Sequence, residues 1–106
     1  MGYSHYSVMK NEILSFINTK ETKTLIDATL GMGGHTLSIS EASSGRFNFL
    51  CFDQDKESIK IAKEKLSPFK ENIKYFHTNF KNLKNYIDDK VDYILADLGI
   101  STYQLS

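Results

Sequence analysis

Along this chain, short apolar runs rich in β-branched and aromatic residues alternate with segments whose apolar positions recur at helical spacing. From residue 8 to 18, Met9, Ile13, Leu14 and Ile17 fall on one helical face. Residues 24–30 (TLIDATL) are short and mostly apolar, as a strand buried on both faces requires, and GMGG ends the run. A second helix is expected from Gly34 or His35 to about Ala42, closed by Ser43, Ser44 and Gly45. Residues 47–52 (FNFLCF) make a second strand, and Asp53, Gln54 and Asp55 offer N-cap chemistry to a helix with Ile59, Ala62 and Leu66 on its face. Ser67 and Pro68 stop that helix, and residues 73–77 (IKYFH) form a third strand. A short helix around Lys81 to Ile87 leads to residues 91–99, the fourth strand and its exit.

Strands joined through single helices are parallel and right-handed, so the expected fold is α/β, doubly wound, with strand order 3-2-1-4. The sequence stops just after the loop leaving the fourth strand, so the sheet is expected to be truncated there. The fourth strand would then be a bare apolar edge that invites self-association.

The chain has 106 residues, enough for one domain spanning 1–106 and one core. It contains no apolar stretch of the roughly 20 residues that span a bilayer, and its N-terminus lacks the signature of an export signal. A single cysteine, Cys51, excludes an internal disulfide and a Cys-based metal cluster, which makes the cytoplasm the expected compartment. No metal site is expected, because no His/Asp/Glu group has ligand spacing. Thirteen cations balance thirteen acids, and twelve of the cations are Lys. Dense nucleic-acid binding asks for a basic face, and Arg is the side chain suited to bidentate phosphate contacts. Any grip on RNA is therefore expected to lie mostly elsewhere. The Lys-rich helix is read as a solvated face.

In an open parallel sheet, ligands bind beyond the carboxyl ends of the strands near the switch in strand order. The residues there are Gly31, Met32, Gly33, Gly34 and His35 after the first strand, and Asp53 after the second. Asn79 and Phe80 follow the third, and Asp97 to Gln104 follow the fourth. The glycines permit a sharp turn and close approach of a ligand, and the helix they open offers N–H donors. Asp53 lies 19 residues after Gly34, where an acid accepts hydrogen bonds from a ribose diol, and Asp55 is left to cap the helix. Thr36 stands where G-x-G-x-x-G has its third glycine, which argues against a nicotinamide cofactor. Acidic strand exits suit a nucleoside bearing a sulfonium and an ammonium better than a pyrophosphate, so S-adenosylmethionine is the expected cofactor. Phe80 is either an adenine platform or a packing staple, Asp97 either a site acid or a turn cap, and Cys51 an inert core thiol.

DATLGMGGH at 27–35, FDQD at 52–55, NF at 79–80 and DLGISTYQLS at 97–106 together resemble the MraW/RsmH family, and HYSVMKNE at 5–12 is similar to the family's opening. The resemblance covers the whole chain. It implies a Rossmann-like class I methyltransferase sheet. The activity it implies is S-adenosylmethionine-dependent methylation of the N4 amine of a cytosine in 16S ribosomal RNA, within the small ribosomal subunit. It further implies that Gly31, Gly33, Gly34 and His35 form the cofactor turn, that Asp53 holds the ribose, that Phe80 lies against adenine, and that Asp97 and Gln104 complete the pocket near the transferred methyl. Asp97 is the expected catalytic acceptor. Ser7 and Tyr103 stand where the family usually has prolines, Thr102 where it has serine, and the family's remaining strands and inserted RNA-recognition region are expected to be missing here. Two other readings accompany this one: an inactive cofactor-binding fragment, and a different nucleotide-binding α/β protein.

Overall fold

The structure, a computed structural model, describes residues 12–28, 33–79, 91–96 and, as backbone, 99–102. Helix α1 is seen at residues 12–16; residues 17 and 18, expected to continue it, lie outside the helix. Then follow β1 (Thr24–Asp27), α2 (Gly34–Ala42), β2 (Asn48–Asp53), α3 (Lys56–Lys65) and a 3₁₀ segment (Ser67–Asn72). Strands β3 (Ile73–His77), β4 (Tyr93–Ala96) and β5 (Gly99–Thr102) complete the order. The helix expected around Lys81 to Ile87 lies outside the described residues.

The sheet order is β3-β2-β1-β4-β5. The first four strands are parallel, as the alternation with helices requires, with Asp27 opposite Cys51 and Leu95, and Cys51 opposite Tyr75. The expectation of a bare fourth edge is corrected. The fourth strand ends at Ala96, within the expected span of strand and exit, and β5 returns antiparallel along β4, pairing Gly99 with Ala96 and Thr102 with Tyr93. The backbone groups of β4 that would have invited self-association are thus paired within the chain, which is how natural sheets protect an apolar edge.

Strand alternation sends side chains to two faces. One carries Leu25, Phe49, Cys51, Ile73, Tyr93 and Leu95 against Ile13 and Ile17 of the N-terminal segment, Ile39 of α2, and Ile59, Ala62 and Leu66 at α3. The other carries Ile26, Phe52 and Val91, with Leu50, Phe76 and Ile94 half-buried beside them. All three helices among the described residues lie on the first face. For α2 and α3 the reason is handedness: the steps β1 to β2 and β2 to β3 run in one direction across the sheet, so right-handed crossovers place both helices on one side.

The first face is organised around aromatic rings. Phe47 stacks on Tyr93 with centroids 6.1 Å apart, Phe49 lies 6.1 Å from Phe47, and Phe16 meets Tyr93 edge-on at 6.0 Å. The Tyr93 hydroxyl accepts from the Asn18 amide at 3.3 Å, which ties the end of α1 to β4. At the same end of the sheet, Asp92 accepts from the Thr24 amide at 2.9 Å.

Phe49 is 1% exposed and central in this cluster, so Phe49→Ala is expected to lower stability by about 3–5 kcal/mol in urea unfolding. Burial, aided by nearby Cys51, pushes the Tyr75 phenol up to about 12. The native state therefore holds this proton after the unfolded chain, at an ordinary value near 10, has released it, and stability falls as pH rises from about 10 to 12. Tyr75→Phe should make that decline shallower in unfolding followed across this range.

Candidate functional site

The carboxyl ends of β1, β2 and β3 lie side by side, and the sequence places its candidate residues there. Beyond β1 the chain resumes, within the described residues, at Gly33, which sits in the left-handed region at φ 86° and caps α2. A Cβ on Gly33 would stand 3.1 Å from Leu66 Cδ1 and 3.2 Å from Ala62 Cβ, so this glycine serves both the turn and the close packing of α2 against α3. Gly34 differs. A Cβ there would meet nothing within 4 Å. Among the described residues no side chain caps the start of α2, and its first turn holds no acidic residue. Backbone N–H groups of a first helical turn have no partner inside the helix, so this end favours an anionic group. His35 is half-buried in that first turn.

At the end of β2, Asp53 is half-buried, and its Oδ1 accepts from the Asp55 amide at 2.8 Å. Asp55 caps α3, accepting from the Glu57 amide at 2.9 Å and from the Ser58 hydroxyl at 3.1 Å. Asp55 takes the cap, and Asp53 stands at the strand's exit. Gly31, Phe80, Asp97 and Gln104 lie outside the described residues.

Sequence reasoning passed over two residues that hold the site together. Asp27, the last residue of β1, has no exposed surface, and its Oδ2 accepts from the Thr36 hydroxyl at 2.6 Å. Thr36 is equally buried. It occupies the position where a dinucleotide fold has its third glycine for close helix–strand packing; here a side-chain hydrogen bond joins the two elements. The available signal was an acid ending an apolar strand nine residues before a threonine in the next helix. Cys51 on the neighbouring strand lies 3.7 Å from the Thr36 hydroxyl. Burial, reinforced by the Asp27 carboxylate and opposed by the Thr36 contact, raises its thiol well above the usual range. A buried, protonated thiol is a poor nucleophile.

These residues fit S-adenosylmethionine. An uncapped helix start with open space over Gly34 can take a carboxylate, and an oriented acid one strand away can take a ribose diol.

The fold is shared with solved methyltransferases. It is similar to a SAM-dependent O-methyltransferase from Thermotoga maritima, with a TM-score of 0.65, 19% identity, and coverage of 80% of this chain and 32% of that one. It is also similar to TrmN from Thermus thermophilus, with a TM-score of 0.69, 18% identity, and coverage of 82% and 26%. In sequence, the chain is 39% identical over 109 residues to ribosomal RNA small subunit methyltransferase H of Clostridioides difficile (strain 630). It is 43% identical over 109 residues to the protein of that name in Clostridium botulinum (strain Okra / Type B1). Each comparison covers 99% of this chain and 35% of the relative, so the chain spans about a third of these relatives' length. The MraW methylase family matches residues 2–106, and the chain belongs to that family.

Proposed function

We propose that residues 1–106 are the S-adenosylmethionine-binding part of an enzyme that methylates the N4 amine of a cytosine in 16S ribosomal RNA, acting on the small ribosomal subunit in the cytoplasm. Family membership and the names of the similar proteins support the substrate class. The observation that carries the cofactor reading is the pairing of an uncapped, open helix start at Gly34 with the oriented Asp53 carboxylate at the neighbouring strand's end.

When bound, S-adenosylmethionine supplies an electrophilic methyl on a sulfonium. In this reading the turn at Gly31, Gly33, Gly34 and His35 receives the carboxylate end, Asp53 accepts from the ribose hydroxyls, and Phe80 lies against the adenine. Asp97 and Gln104 close the pocket beside the methyl. A cytosine amine is a poor nucleophile because its lone pair is delocalised into the ring, so alignment and an acceptor for its N–H carry the catalysis. Asp97, or a backbone carbonyl between Asp97 and Ser101, is that acceptor. The span of about a third of the relatives supports a second reading, in which this chain binds the cofactor and transfers nothing by itself.

The two glycines separate fold from site. Gly33→Ala meets both a left-handed φ and the α3 contacts and should cost about 1–3 kcal/mol in thermal or urea unfolding. Gly34→Ala should leave stability unchanged or slightly raised while weakening cofactor binding, because its methyl enters the open space.

Calorimetric titration with S-adenosylmethionine, S-adenosylhomocysteine and NAD tests the cofactor. The first two should bind, NAD should not, and Asp53→Ala should weaken binding by about tenfold or more, the worth of a charge-assisted hydrogen bond. Binding of NAD alone sinks the reading. Tritiated-methyl transfer to unmodified small ribosomal subunits distinguishes an active chain from a binding module. In an active chain, Asp97→Asn should reduce transfer, and full activity in that variant would remove Asp97 from its role.

A further inference from the structure

The structure assigns His77 as a positioning residue for the ribose-binding acid: its ring ties the β2–α3 turn to the end of β3. This inference rests on the cofactor reading above.

The chain leaves β2 at Asp53 and enters α3 at Lys56, so the acid ends the strand and is followed by a turn made of Gln54 and Asp55. Several hydrogen bonds lie within that turn and the first turn of α3. The Asp55 amide donates to Asp53 Oδ1 at 2.8 Å, the Glu57 amide to Asp55 Oδ1 at 2.9 Å, and the Ser58 hydroxyl to Asp55 Oδ2 at 3.1 Å. They set the shape of the turn. None of them fixes the turn against the sheet.

That anchoring comes from β3. Asp53 and His77 are the last paired residues of the β2–β3 ladder, and the Thr78 amide continues it by donating to the Asp53 carbonyl at 3.0 Å. One residue further on, the strands have separated, and the side chain of His77 extends the connection: its Nε2 lies 2.9 Å from the Gln54 carbonyl oxygen. A carbonyl can only accept, so this contact places a hydrogen on Nε2. The consecutive carbonyls of Asp53 and Gln54 are thereby held from the end of the same neighbouring strand.

The energetic consequence is local. His77, Gln54 and Asp55 are exposed, and a hydrogen bond competing with water contributes little to global stability. A binding acid must be held within about 0.5 Å of its productive position, and ordering it in advance lowers the cost of binding. The effect of His77 thus falls on cofactor affinity and on the order of the turn, and hardly on unfolding.

The test compares the full chain with His77→Leu, which keeps bulk and removes the donor, and His77→Gln, whose amide nitrogen can donate from a similar place. S-adenosylhomocysteine binding is measured by calorimetry, and exchange of the Asp55 amide hydrogen by NMR on the ligand-free protein. His77→Leu should weaken binding by about three- to tenfold and speed Asp55 exchange by a similar factor, with an unchanged unfolding midpoint. His77→Gln should restore both. Unchanged affinity and exchange in His77→Leu, or failure of His77→Gln to restore them, overturns the assignment. If the unsubstituted chain does not bind S-adenosylhomocysteine, the cofactor reading fails, and the Asp55 exchange rates still decide whether His77 holds the turn.

Discussion

A carboxyl group with no exposed surface must be hydrogen-bonded, or its burial costs several kcal/mol, and Asp27 at the end of the central strand is such a group. The Thr36 hydroxyl answers it at 2.6 Å from within α2. This contact sets how the first helix leaves the first strand, and much of the site depends on that. With Thr36 held against β1, the start of α2 lies at the carboxyl end of the sheet. Gly33 turns there in a left-handed conformation, and Ala62 and Leu66 crowd the space a side chain on it would take. Gly34, one residue later, is left facing open space.

The two ends of the sheet are built differently. At the amino end, Tyr93 and Asp92 accept from the Asn18 and Thr24 amides, and Asn72 donates to Asn48 at 3.1 Å, so side chains lock neighbouring segments together. At the carboxyl end, the bonds organise turns. Asp55 caps α3, Asp53 accepts from Asp55, and the Thr78 amide and the His77 ring reach across from β3. Oriented polar turns at the carboxyl end are what an open α/β sheet needs where ligands bind at its strand exits.

Much of this was legible in residue order. The third strand at 73–77 stands where the apolar run put it, α2 starts at Gly34, and Asp55 caps α3 as its position suggests. The reversal after β4 was not legible. An apolar run reports burial and says nothing about the direction of the strand beside it, so the exit after the fourth strand did not show that Gly99–Thr102 pairs back along β4. Nor could periodicity show that Thr36 replaces a packing glycine by bonding Asp27, since the two residues belong to different elements and meet only when α2 lies on the sheet.

The sequence by itself determined the alternating α/β plan, the parallel order of the first four strands, and the strand-end positions of Gly33, Gly34 and Asp53, because hydrophobic period and turn chemistry are local properties of the chain. The tertiary structure alone decided which glycine is crowded and which is open, what neutralises the burial of Asp27, and that His77 on the outer strand reaches the turn carrying Asp53. Those outcomes depend on distances between elements remote in sequence, which only packing sets.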